Sequence, residues 1–146
     1  MKIAISNDHA AADLKNALMA YLREKFTVED LGSNGEHADY PEYAAAVSRA
    51  VSANDFDFGI LLCGTGAGMC MAANKIRGIR AVVCSEPYTA RLAREHNNAQ
   101  ILCIGARVVG IELAKAIADA FLDAQFQSGR HQPRIDKIMA LENTIT

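Results

Sequence analysis

Phe58-Gly59-Ile60-Leu61-Leu62-Cys63-Gly64-Thr65-Gly66-Ala67-Gly68 is the stretch on which the fold turns. Phe58–Leu62 is an uncharged, mostly apolar run, and it leads into a turn with three alternate glycines. This pattern predicts a buried strand, a tight turn and a helix reaching about Lys75. The uncharged run is 17 residues long, from Phe58 to Asn74, and its glycines make it a poor membrane helix. Similar units lie on both sides. Strands are expected at Lys2–Ser6, Thr27–Leu31, Arg80–Cys84 and Ile101–Ile104. Helices are expected around Leu14–Leu22, from Pro41 to about Ala53, from Pro87 to His96, over Val109–Phe121 and from about Pro133.

Five strands alternating with helices imply an α/β fold, a parallel sheet with helices on both faces. Ligands of such sheets bind outside the carboxyl ends of the strands. Three segments fall there: Ser6–His9, Cys63–Gly68 and Gly105–Arg107. With no internal repeat and no linker-like tract, the 146 residues read as one domain, 1–146, with a helical tail from about 130.

Composition narrows the function. Fifteen Lys and Arg against 17 Asp and Glu give a net charge of −2, with a pI near 6.1. A general nucleic-acid binder would carry a positive excess. The N-terminal apolar run is too short for a signal-peptide core, so a cytoplasmic location without membrane contact is expected. The four cysteines, Cys63, Cys70, Cys84 and Cys103, sit in apolar runs and read as reduced thiols. They form no Cys-x-x-Cys pair, and neither a metal nor another cofactor is expected.

Alternate glycines let a backbone approach a ligand and turn N–H groups towards it. A cysteine at the edge of such a turn has its thiolate favoured. Cys63 also fits as a buried strand-end thiol over a plain tight turn. Met69 stands where a dinucleotide fingerprint needs glycine, no Gly-Lys-Ser/Thr follows as in a P-loop, and no arginine precedes Arg77 as a cysteine phosphatase requires. Asp8 suits an N-cap, and with His9 it also suits sugar hydroxyls or a phosphate. His96, at a helix C-terminus, suits a general acid or a simple capping partner. His37 reads as solvated. The tail gathers Arg130, His131, Arg134 and Lys137, which suit phosphate or solvent equally, as does Arg107.

Taken together, these segments resemble the ribose-5-phosphate isomerase B family, which also includes allose- and galactose-6-phosphate isomerases. The resemblance rests on NDHA (7–10), DYPEYA (39–44), GILLCGTGAGMCMAANK (59–75), GIRAVVCSEPYTARLAREHN (78–97), GARVVG (105–110) and GRHQPRIDKI (129–138). It implies metal-free aldose–ketose isomerisation of a sugar phosphate, ribose 5-phosphate first and a hexose 6-phosphate such as allose 6-phosphate as the alternative. A non-catalytic sugar-phosphate binder is a further, less favoured reading. The family's proton acceptor matches Cys63, and its ring-opening histidine matches His96. Its substrate contacts match Asp8, His9, Gly64, Thr65, Gly66, Ala67, Gly68, Asn97, Arg107, Arg130 and Arg134. Thr65 is also a candidate to carry protons between the enediol oxygens.

The resemblance further implies a three-layer α/β/α Rossmann-like sandwich with strand order 2-1-3-5-4, and homodimers or dimers of dimers with sites at the subunit interface. Ala11 and Ser6-Asn7 depart from the family's usual residues without removing a reacting group. Some galactose-6-phosphate isomerases pair an active-looking subunit with one that lacks the cysteine. With Cys63, His9 and His96 all present, this chain is expected to be self-sufficient.

Overall fold

A computed structural model describes residues 1–33 and 39–144; His37 lies outside them. The strands are β1 (Lys2–Asn7), β2 (Thr27–Asp30), β3 (Phe58–Cys63), β4 (Ala81–Val83) and β5 (Ile101–Gly105). They form one parallel sheet in the order β2-β1-β3-β5-β4, as the family resemblance implies. Helices α1 (Ala12–Arg23), α2 (Tyr40–Ser52), α3 (Ala67–Ala73), α4 (Pro87–Asn97), α5 (Ile111–Asp123) and α6 (Gln132–Ala140) alternate with the strands or follow them.

Side chains on a strand alternate between faces, so each central strand feeds two cores. Ile60 and Leu62 of β3 join Ile3, Ile5, Leu18, Leu102, Ile117 and Phe121 under α1, α4 and α5. Leu61 and Cys63 point the other way, to Val47, Val51, Met69 and Cys103 under α2 and α3. This alternation decides that Cys63 lies against the α3 layer.

The element ends differ from the sequence reading by one or two residues in most cases. Val109 is one of the two-residue differences. It keeps the four-residue spacing of α5 but precedes the N-cap Gly110, and it is buried as the helix's entry residue above Ala114. Before α1 stands a separate 3-10 turn, His9–Ala11, capped by the Asp8 carboxylate, which accepts from the Ala10 N–H at 2.9 Å.

The carboxyl edge is tied together near β1 and β2. Lys15, only 1% exposed, donates to Asp30 Oδ2 at 2.6 Å. Asp30 Oδ1 in turn accepts from the Gly32 N–H at 2.8 Å, and the Ser33 N–H donates to the Asn7 carbonyl at 3.3 Å. These bonds fix the strand end that carries Asp8 and His9.

Candidate active site

At the carboxyl edge of β3 the chain turns sharply into α3. Gly66 caps α3 with φ of +81°, a left-handed conformation that disfavours other residues. A Cβ there would also stand 2.9 Å from Val83 Cγ2. The turn aims the Gly66 N–H at Cys63 Sγ, 3.1 Å away. The thiol is 5% exposed, at the lip of the core. Thr65 is exposed beside it, its Oγ1 accepting from the Ala67 N–H at 3.4 Å.

Neighbouring strand ends complete this edge. The Asp8 N–H donates to the Leu62 carbonyl at 3.1 Å, which places Asp8 and His9 one strand from Cys63. On the other side, the Ala106 N–H donates to the Cys63 carbonyl at 2.8 Å and the Arg107 N–H to the Gly64 carbonyl at 3.0 Å. The Arg107 side chain crosses Gly64, whose Cβ would lie 3.4 Å from its Nη1. The structure therefore brings Asp8, His9, Cys63, Gly64, Thr65, Gly66, Ala67, Gly68 and Arg107 to one edge.

His96, Asn97, Arg130 and Arg134 are elsewhere. Helix α4 runs back from the carboxyl edge, and three residues after Asn97 the Gln100 carbonyl accepts from the Gly59 N–H at 3.0 Å, at the start of β3. Four residue steps along β3 separate Gly59 from Cys63, about 13 Å. The tail joins His96 at this amino edge. The Gln127 N–H donates to the Glu95 carbonyl at 3.0 Å, and the rings of His96 and His131 stack with centroids 4.2 Å apart and an 11° interplanar angle. Arg130 and Arg134 flank that stack in sequence and are exposed. Within one chain, the expected site is thus two half-sites at opposite edges of the sheet.

Two further residues join these half-sites: Tyr40, which the sequence reading did not single out, and His131, which it named only as part of the basic tail. Tyr40, at the start of α2, lies over the first turn of α3, and a Cβ on Gly68 would meet its ring at 2.8 Å. His131 is buried, and burial beside His96, Arg130 and Arg134 pushes its imidazole below the usual 6.5. Both contacts link residues distant in sequence. The one local clue was Pro41, which fixes Tyr40 at a helix start.

All four cysteines are free thiols. Cys84 and Cys103 are buried, and burial pushes Cys84 up to about 12. Cys70 differs from these two. It is half-buried, and its contact with the Cys103 thiol lowers it to about 7. Among the described residues, no group of three or more His, Cys, Asp or Glu could hold a metal ion, and no helix is long and apolar enough to cross a membrane.

Residues 3–138 match the model of a family described as ribose/galactose isomerase. The chain belongs to that family. Among the family's members, ribose-5-phosphate isomerase B of Escherichia coli K12 is 52% identical over 143 residues, 97% of this chain and 96% of the relative. D-erythrulose-4-phosphate isomerase of Pectobacterium atrosepticum is 48% identical over 94% of this chain and 93% of its own length. The solved ribose-5-phosphate isomerase B of Clostridium thermocellum superposes with a TM-score of 0.98 at 45% identity, over the whole of both chains. Fold and family thus agree along the full length of the sheet.

Proposed function

We propose that this chain interconverts ribose 5-phosphate and ribulose 5-phosphate through an enediolate, in sites that two copies of the chain build together. The observation that carries the reading is the Cys63 thiol, set at the carboxyl edge of the central strand and receiving the Gly66 N–H at 3.1 Å. The high identity to a ribose-5-phosphate isomerase B supports it.

Ribose 5-phosphate is mostly cyclic, so the ring opens first. His96 delivers a proton to the ring oxygen O4 as the C1–O4 bond breaks, and the C1 hydroxyl gives its proton to a water molecule, which leaves the C1 aldehyde. The Cys63 thiolate then takes the proton on C2, and the electron pair moves into the C1 carbonyl to give the enediolate. Backbone N–H groups of Gly64–Gly68 hold its oxygen charge. The Thr65 hydroxyl passes the O2 proton to O1, and the Cys63 thiol returns its proton to C1, which leaves a ketone at C2. His9 and Arg107 bind the phosphate from one copy, Arg130 and Arg134 from the other, each contact contributing about 1.5–3 kcal/mol. Asp8 and Asn97 hold sugar hydroxyls.

The separation of the half-sites supports a shared site. A reacting group must come within about 3–3.5 Å of its target. His96 cannot do so from the far end of the strand that carries Cys63, whereas a second copy related by a two-fold axis supplies its amino edge. Exposed apolar residues near the Cys63 edge suit such packing: Met71, Val83 and Tyr88 are 65%, 44% and 64% exposed.

The test is isomerisation of ribose 5-phosphate in excess EDTA, run beside Cys63→Ala. Activity that survives EDTA and disappears in the variant supports the metal-free thiol mechanism. Full activity in Cys63→Ala removes the cysteine base. Allose 6-phosphate is the alternative substrate, and the tetrose phosphate named for the Pectobacterium relative belongs in the same panel. Phosphate binding without exchange of the C2 proton would indicate a non-catalytic binding protein.

A further inference from the structure

Resting on the reading of His96 as ring-opening acid, we propose that Arg94 and Arg80 are positioning residues that hold the end of α4, and with it His96 and Asn97, in the geometry the shared site needs.

The last turn of a helix has carbonyls without partners inside the helix, and it frays. His96 and Asn97 occupy that turn. Here the Arg80 guanidinium takes the Asn97 carbonyl of that turn, and two guanidinium groups hold the residues that follow it. Arg80 Nε donates to the Asn97 carbonyl at 3.0 Å and its Nη2 to the Asn98 carbonyl at 2.9 Å. Arg94 Nη1 donates to the Ala99 carbonyl and to Asn98 Oδ1, both at 2.8 Å. Asn98 is left-handed, with φ of 45° and ψ of 44°, so its backbone and its side chain are held at once. From the other side, Gln127 binds the Glu95 carbonyl and His131 stacks on His96.

This clamp goes beyond what ending a helix requires. Glycine after α4 would end it without a buried charge. Arg94 is instead only 8% exposed, and its guanidinium lies 4.4 Å above the Phe58 ring. Among the described residues it pairs with no carboxylate, and its Nε has no hydrogen-bond partner. Burial disfavours the charge on both arginines, and Arg80 adds to this at Arg94. A buried cation with no carboxylate partner, bound to the Ala99 carbonyl, the Asn98 amide and the faces of Phe58 and Phe121, fixes position at a cost in stability. A group delivered into another copy's site needs that positional control.

The experiment uses the full chain with ribose 5-phosphate. Arg94→Met should lower kcat by about 10- to 100-fold, as expected for a misplaced acid, while KM moves less than about threefold. Arg94→Lys should restore part of kcat. In a His96→Asn background the same Arg94→Met change should alter kcat by less than about threefold, because the arginine acts through His96. Carbon-13 NMR of the histidine rings should show the His96 signal displaced in Arg94→Met and the His9 signal unmoved. Equal proportional losses of kcat in both backgrounds, or an unmoved His96 signal with full kcat, would overturn the proposal. If Arg94→Met does not fold, half-buried Arg80→Met carries the same four measurements. Full kcat in His96→Asn alone would instead remove the underlying reading, and the clamp's catalytic role with it.

Discussion

Gly105→Ala tests whether the loop after β3 must rest directly on β5. A Cβ on Gly105 would lie 2.7 Å from both the carbonyl carbon and the oxygen of Thr65 and 2.8 Å from its Cα. All three are backbone atoms, so no side chain can rotate away. Ordinary contact begins near 3.4 Å, so the loop must retreat by about 0.7 Å, the difference between 3.4 and 2.7. Overpacking of this kind costs about 1–3 kcal/mol. For a chain of this size that lowers Tm by roughly 3–10 °C. The displaced atoms belong to Thr65, one of the two residues between Cys63 and the Gly66 N–H that faces it. A shift approaching 1 Å at reacting groups costs up to about 100-fold in rate. The variant should therefore fold, lose between about 10- and 100-fold in kcat and keep KM within about threefold. Thermal unfolding and steady-state kinetics with ribose 5-phosphate check this. Wild-type Tm together with kcat within twofold of wild type would refute the reasoning.

Other outcomes follow from the same geometry. Asp30→Ala leaves Lys15 buried without its carboxylate and should cost about 3–5 kcal/mol in urea unfolding. Lys15→Met leaves Asp30, 24% exposed, free to hydrate, and should cost less. In a Cys63→Ala background, iodoacetamide should label Cys70 half-maximally near pH 7 and should leave Cys84, at about 12, unlabelled at pH 8. His131 is held below 6.5 in the folded chain, so the unfolded chain binds more protons as pH falls through 6.5. Stability should therefore decline below pH 6.5 until the folded value is passed, and His131→Gln should flatten that part of the pH–stability curve.

Much of the fold was legible because local chemistry and global architecture agree. The uncharged Phe58–Leu62 run, with turn glycines behind it, has few interpretations other than a buried strand entering a helix. Asp8 before His9-Ala10-Ala11 is an N-cap by residue type, and the structure uses it as one. The reading failed where a contact depends on tertiary packing. The four-residue period carried helix α5 back to Val109, because burial at an entry residue looks the same as burial on a helix face. Nothing local links Tyr40 to Gly68 or His131 to His96; layer packing and a returning tail make those contacts.

The separation of Cys63 from His96 was legible in principle. Strand ends and helix ends lie at opposite edges of a parallel α/β sheet. A cysteine ending a strand and a histidine ending a helix therefore could not meet within one chain. The arginine clamp on Asn97, Asn98 and Ala99 was not legible, because backbone carbonyls as acceptors leave no mark in the sequence.

The most direct measurement is complementation between Cys63→Ala and His96→Asn chains, co-expressed in equal amounts and purified together. Each variant alone should keep only a small residual activity, at most a few per cent of wild type. In a hybrid dimer with shared sites, one site carries both defects and the other carries neither. Random pairing makes half of the dimers hybrids, so the mixture should recover about a quarter of wild-type activity. Recovery near that value is what a site built from the carboxyl edge of one copy and the amino edge of another predicts. No recovery, with hybrids demonstrably formed, would place Cys63 and His96 in the same site of a single chain and contradict the account.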